Sequence, residues 1–342
     1  MIIGGCSPTV RIAGLGHASP LGRASSEDIE QRIRDAAGRL PVPSGTIRAI
    51  TGIECRHVVG PDDHASTLAA AAGRLALDDA GARAEDVDLL VFASASQDQI
   101  EPATAHIVAA AIGVRGASVF DVKNACNSFV DGIRVAEALV ATGRARCALV
   151  VTGETPSLAA RYHVGSIREF RRAFLGYTVG DVGGAVLLEP SDDDRGVFHR
   201  QSWSASEHWA VSGVPGGGSR HPRGDDFMYA EGDGARLREI VRTFDPDIAL
   251  RVFRETGTTA DDFQLFIVHQ VTLPFAEEMI ARLGLPSDRV ERTIVDFGNV
   301  ASGTLPLALG RARDAGRVAR GDRVLFIGLG AGISVATMAF TL

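Results

Sequence analysis

Several familiar features are missing from this chain. Its four cysteines, Cys6, Cys55, Cys126 and Cys147, show no CxxC spacing and follow no secretory leader. That argues against a disulfide framework and fits a reducing, cytoplasmic compartment. The longest apolar runs reach only about nine residues, whereas a bilayer span needs roughly 20, so no membrane span is expected. The nine histidines form neither HExxH nor CxxC…H patterns, so no metal site is expected. There is no basic block and the net charge is -7, which makes nucleic acid an unsuitable partner. An acidic carrier protein could still dock on a local basic patch. Arg168, Arg171 and Arg172 in "SIREFRRAF" are candidates for one, with a plain solvated helix face as the alternative.

What is present is a chain of 342 residues, 45% hydrophobic and 23% charged, the size of two fused half-domains. The halves resemble each other. "GARAEDVDLLVFASAS" (81–96) and "GTTADDFQLFIVHQVT" (257–272) share Gly, Ala and Asp at matching places before an apolar strand, at an offset of 176. "ALVATGRARCALVVTGE" (138–154) and "ARDAGRVARGDRVLFIGLG" (312–330) each read as helix, Gly stop, basic turn and buried strand, with Gly143 and Gly316 offset by 173. Two similar offsets predict a duplicated α/β unit, with halves 1–192 and 193–342 meeting at the polar turn "EPSDDDRG". Short continuous apolar strands ("VDLLVFAS", "CALVVTGE", "GGAVLLEP", "FQLFIVHQ", "RVLFIGLG") predict sheets covered on both faces. "STLAAAAGRLALDDAG" and "LPFAEEMIARLGL" read as amphipathic helices. The Gly-rich "VSGVPGGGSRHPRGDD" (211–226) reads as a long mobile loop, either a surface excursion or a channel wall.

Cys126 sits in "FDVKNACNSFVDGI", between a strand ending at Val122 and a helical pattern. A helix N-terminus stabilises a thiolate, so this placement predicts a nucleophile; the alternative is a small buried hydrophobe. A nucleophile needs partners. His269 stands at the carboxyl end of the strand in "FIVHQVT", and Asn299 in the turn "DFGNVASG". At an offset of 173, Asn299 would be the counterpart of Cys126. Equivalent strand ends converge in such folds, so the three are expected in one pocket. A thiolate can carry an acyl group from a thioester, while His269 and Asn299 donate hydrogen bonds to an oxyanion or enolate. "GLGAGIS" (328–334) offers backbone amides from Gly330 and Gly332 at the same edge, or else a tight strand connection.

The ordered set "ITGIECRH" (50–57), "FDVKNACNSF" (120–129), "YTVGDVGGAVLL" (177–188), "FIVHQV" (266–271), "FGNVASGTLP" (297–306) and "GLGAGIS" resembles the thiolase superfamily. Within it the match is to the β-ketoacyl-acyl-carrier-protein synthase III group, over nearly the whole chain. The resemblance implies a duplicated, five-layered αβαβα fold, a homodimer and a Cys-His-Asn triad, which maps to Cys126, His269 and Asn299. It implies no bound cofactor, with acyl-CoA or an acyl-carrier-protein thioester as substrate. "SASQDQIEPATAHIVAAAIG" (94–113), "LVVTGET" and "FIVHQVTLPFA" are most similar to the head-to-head Claisen-condensing enzyme of the olefin pathway. In that subgroup a glutamate crosses the dimer interface; the match places it at Glu101, with a surface charge as the alternative.

Two departures stand out. The group's coenzyme-stacking tryptophan corresponds to Thr46 here. Asn127 and Ser128 follow the nucleophile where the family is small or apolar, which puts polar groups at the pocket and suits a polar acceptor. Three activities therefore stay open: Claisen-type carbon–carbon condensation, O- or N-acyl transfer to a natural-product acceptor, and decarboxylating chain initiation. A binding protein without catalysis is the fourth alternative.

Overall fold

The computed structural model describes residues 9–37, 42–193 and 195–342; Cys6 lies outside them. Two sheets dominate. The first contains β1 (Thr9–Ala18), β2 (Leu89–Ala93), β3 (Ser118–Val122), β4 (Ala148–Glu154) and β5 (Val182–Ser191), in the order β1-β5-β4-β2-β3. The second contains β6 (Val197–Ser204), β7 (Leu265–Val268), β8 (Arg323–Gly330) and β9 (Ser334–Thr341), in the order β7-β8-β9-β6. The pairings β2–β4, β2–β3 and β7–β8 are parallel and the rest antiparallel. All five residues of β2 and all seven of β4 are buried, as continuous apolar strands require.

Helices complete five layers. α1 (Ala65–Ala80) and α2 (Thr104–Ile112) cover the outer face of the first sheet. α3 (Ser128–Ala141) and, later in the chain, the helix Thr304–Asp314 fill the space between the sheets. α4 (Gly234–Thr243), α5 (Asp247–Thr256) and α6 (Leu273–Arg282) lie on the far side of the second sheet, where α5 and α6 share its outer core. The helix Thr304–Asp314 is α7. The expected αβαβα architecture is present. The alanine-rich face of α1 lets it sit almost on the sheet: a Cβ at Gly153 would fall 1.8 Å from the Ala65 carbonyl oxygen. Gly81, at φ 67°, ends that helix in the left-handed conformation.

The duplication has one register throughout the site. β2 and β7, α3 and α7, and the only two positive-φ residues other than glycine among those described, Ala125 and Ala301, both at φ 47°, are all related by an offset of 176. The offset of 173 between Gly143 and Gly316 arises because α7 has 11 residues where α3 has 14. The counterpart of Cys126 is therefore Ser302, and that of Asn299 is Lys123, which corrects the pairing expected from sequence. In the first half β3 is a strand at the sheet edge; its counterpart is the short helix Ile294–Phe297.

The Gly-rich excursion holds only short elements, a two-residue pairing of Ser212–Gly213 with Glu231–Gly232 and the turn Asp225–Phe227. It is tied at its root, where the Ala205 amide donates to the Ile333 carbonyl at 2.8 Å, and on its return by Ala230 to Ala159 at 2.8 Å.

Candidate active site

Cys126 lies between β3 and α3, on a loop with a strained residue. Ala125 adopts φ 47°, a conformation that costs a non-glycine residue about 1–3 kcal/mol. Ser128 pins it: its Oγ accepts from the Asn124 amide at 2.8 Å and donates to the Ala125 carbonyl at 2.7 Å. Asn127 is fully buried and donates through Nδ2 to the Ser334 carbonyl (3.0 Å) and Oγ (2.8 Å). It lies so close to β8 that a Cβ at Gly328 would fall 2.1 Å from its Oδ1. Both residues were expected as polar pocket groups. The Ser128 hydroxyl is spent on holding the cysteine loop, whereas Asn127 ties the loop to Ser334 through Nδ2 alone and its buried Oδ1 has no partner.

The expectation of a resting thiolate is also corrected. Burial first, and the negative charge of Glu154 second, push the Cys126 thiol up to about 12, against the amides of Ala331 and of Cys126 itself, which lower it. Gly330 and Gly332 were the expected backbone donors; the amide of Ala331, between them, is the one that favours the thiolate. Gly330 is needed for fit, since a Cβ there would meet Ser334 Oγ at 2.9 Å and Asn127 Nδ2 at 3.1 Å. Gly332 holds φ 118°, open only to glycine.

His269 directly follows β7, and its amide donates to the Ile327 carbonyl at 2.9 Å. The imidazole is buried and neither Nδ1 nor Nε2 has a partner. Burial pulls it down to about 4, so it is neutral at ordinary pH. It stands on the wall of a small apolar cleft, about 40 Å³, shared with Val268, Ile327, Leu329, Phe244 and Met279. The next residue, Gln270, was missed from sequence. It donates to the Glu291 carbonyl at 2.8 Å and accepts from the Thr293 and Ile294 amides at 3.0 and 3.1 Å, fixing the segment that leads to Asn299. Asn299 is buried; its Oδ1 accepts from the Ala301 amide at 3.1 Å, which leaves Nδ2 as the donor to offer.

Cys126 follows the end of β3 and His269 the end of β7, while Asn299 follows the short helix Ile294–Phe297 that stands in the place of β3. Glu101 is not brought to them within one chain. It is exposed, in the loop between β2 and α2, with its carbonyl accepting from Gln99 Nε2 at 2.8 Å. Glu154, at the end of β4, was also missed; "LVVTGET" contains it. Its side chain is fully buried and accepts from the Ala95 amide (2.8 Å), the Ser96 amide and Oγ (3.2 and 3.0 Å) and Ser302 Oγ. Of the basic trio, Arg172 pairs with Glu231 at 2.6 Å, while Arg168 and Arg171 are exposed.

Comparison with known proteins decides the family. Residues 120–205 match the model of 3-oxoacyl-[acyl-carrier-protein] synthase III, and 253–342 match that of its C-terminal part. The β-ketoacyl-[acyl-carrier-protein] synthase III of Symbiobacterium thermophilum is 30% identical over 336 residues, covering 96% of this chain and 97% of that one. The chain belongs to the β-ketoacyl-acyl-carrier-protein synthase III family. This synthase III-like enzyme is also 32% identical to the 3-oxopimeloyl-[acyl-carrier-protein] synthase of Rhodothermus marinus, over 96% of this chain and 92% of that one. Among solved structures, Xanthomonas campestris OleA with bound lauric acid and lauroyl-CoA superposes with TM-score 0.88 at 26% identity, covering 98% and 100% of the two chains. The synthase III of Pseudomonas aeruginosa gives 0.84 at 27%, covering 97% and 98%. No helix among the described residues is long and apolar enough to cross a membrane.

Proposed function

We propose that this synthase III-like enzyme loads an acyl group on Cys126 and joins it, by Claisen condensation, to the α-carbon of a second acyl thioester. The observation that carries the reading is His269: a buried, neutral imidazole with two unpartnered nitrogens on the wall of an apolar cleft. Such a group suits an enolate oxygen beside a hydrocarbon chain.

In the first step the Cys126 sulfur attacks the thioester carbonyl. The carbon–sulfur bond to the carrier breaks, and the carrier thiol leaves with the proton that Cys126 gives up. In the second, a base removes an α-proton from the next thioester, and His269 and Asn299 Nδ2 donate to the enolate oxygen. The α-carbon then attacks the acyl carbonyl, a carbon–carbon bond forms, and Cys126 departs and regains a proton. We assign the base to Glu101 acting in the partner of a homodimer, since it is exposed in its own chain beside exposed Ile100. The donor is an acyl-CoA or a carrier-protein thioester. We take 1–192 and 193–342 as the halves contributing Cys126 and the His–Asn pair. Acyl transfer to an alcohol or amine loses part of its support, because the Ser128 hydroxyl is spent internally and Asn127 is fully buried.

The test is α-proton exchange in deuterated water with acyl thioesters that load the enzyme. The wild type should exchange and release a β-keto product. Glu101→Gln keeps shape but loses basicity; it should still acylate Cys126 and lose both exchange and product. Transfer to a hydroxyl or amine without exchange would overturn the reading, as would product formed only from a decarboxylating malonyl-type thioester.

A further inference from the structure

The cysteine loop and the imidazole belong to different halves of the chain, yet both are referred to the same two residues of β8. His269 hangs from Ile327, whose carbonyl accepts its amide at 2.9 Å. Asn127, the neighbour of Cys126, rests on the next residue, Gly328: a Cβ there would fall 2.1 Å from Asn127 Oδ1 and 3.2 Å from its Cγ. One strand thus carries the references for nucleophile and imidazole side by side.

The side chain that makes this contact is oriented without ambiguity. A carbonyl can only accept, so the Asn127 atom 3.0 Å from the Ser334 carbonyl is Nδ2. Its second proton goes to Ser334 Oγ at 2.8 Å. Oδ1 is then turned to Gly328 and has no partner. Burying an acceptor that way is costly, so the amide is kept for its two Nδ2 bonds. These reach across the molecule, from the start of α3 to the first residue of β9. The turn they grip is held from its other side as well, where the Ala205 amide donates to the Ile333 carbonyl at 2.8 Å. Gly330 lets the loop close on the strand, since a Cβ there would fall 3.1 Å from Asn127 Nδ2 and 3.3 Å from the Asn124 carbonyl oxygen. Asn127 is 0% exposed, so it touches no substrate.

We propose that Asn127 is a positioning residue: its bonds to Ser334 dock the cysteine loop on β8 and so fix the spacing of Cys126 and His269 for the step that moves the acyl group off the sulfur. Loading asks only that a thioester carbonyl reach Cys126, and a small shift of the loop carries the sulfur with it. Onward transfer needs the acyl-sulfur and the imidazole at one spacing, and that spacing crosses between the halves.

The proposal rests on Cys126 as the acyl carrier. Its test follows the two steps apart, by intact-protein mass spectrometry in single turnovers. The full chain is first loaded from an acyl-CoA, and the acyl-enzyme is then mixed with a second acyl-CoA or with a hydroxyl or amine acceptor. Asn127→Leu keeps the size of the side chain and removes the donor. Loading should stay within about threefold of wild type and the KM for the second substrate should hold, while onward transfer should fall by as much as about 10²-fold, the loss that a misplacement of about 1 Å can cause. Two unchanged rates, or two rates lowered alike as by a loosened loop, would overturn the proposal. If Asn127→Leu does not fold, Ser334→Ala is read the same way. It removes one of the two acceptors, so a smaller loss confined to onward transfer is expected, and an unchanged ratio of the two rates overturns the proposal. Whether the wild-type product is a β-keto compound or an ester or amide judges the function proposed above; the split between the rates judges Asn127.

Discussion

At the residue scale the proposed site separates into atoms offered for chemistry and atoms that hold them. The placement of Cys126 at a strand-to-helix junction and of His269 at a strand end was legible in the sequence, because these are local patterns. The roles of Asn127 and Ser128 were not, because only the folded chain shows that Asn127 Nδ2 donates to Ser334 and the Ser128 hydroxyl to Ala125. Nor was the ionisation of the thiol: a helix end favours the thiolate, but burial is a tertiary property and wins. With the thiol pushed up to about 12, the thiolate fraction grows about tenfold per pH unit. Alkylation of Cys126 in the free enzyme should then climb from pH 7 to 10 without a plateau; a plateau below pH 9 would contradict the burial account. His269→Ala and Asn299→Ala should each lower condensation by about 10²–10³-fold, the usual loss for one oxyanion donor, while acyl-Cys126 still accumulates on intact-mass analysis. Full turnover in Asn299→Ala would remove it from the site.

Among the elements, strands and helices followed from continuous apolar runs and alanine-rich stretches, since period and composition are local. Register was harder. Two glycines gave an offset of 173, and only the shorter α7 reveals why the site itself runs at 176. Close packing decides a further prediction. Gly132 of α3 faces Ala93, the last residue of β2, and a Cβ there would fall 2.4 Å from the Ala93 Cβ. Alanine gains about 1 kcal/mol of helix propensity over glycine, but overpacking costs typically 1–3 kcal/mol. At so short a contact the larger cost prevails. Gly132→Ala should unfold at lower denaturant than wild type; a gain in stability would show that α3 is not pressed on β2. The edge strand β3 is half-exposed along its length, an open ladder that invites a second copy. Sedimentation should find a dimer, as the assignment of Glu101 requires.

Over the whole molecule, two buried groups act on stability with opposite sign. His269 is held down to about 4 from 6.5, so the unfolded chain binds its proton first on acidification, and stability is lost as pH falls from 6.5 towards 4. Asp181 is pushed up to about 6 from 3.8, so its contribution is present below 3.8 and lost as pH rises through 6. Denaturant titrations should show the opposition once either is removed. Between pH 6 and 4, Asp181→Asn should lose more stability on acidification than wild type, and His269→Asn less. Equal slopes in all three proteins would contradict both assignments.

The central claim is that Cys126 carries the acyl group. Its most direct test is intact-protein mass spectrometry after incubation with a panel of acyl thioesters, followed by peptide mapping. The wild type should gain the mass of one acyl group, mapped to the peptide containing Cys126, and Cys126→Ala should gain none. Acylation that persists at a single site in Cys126→Ala, or that maps in the wild type to another residue, would contradict the account.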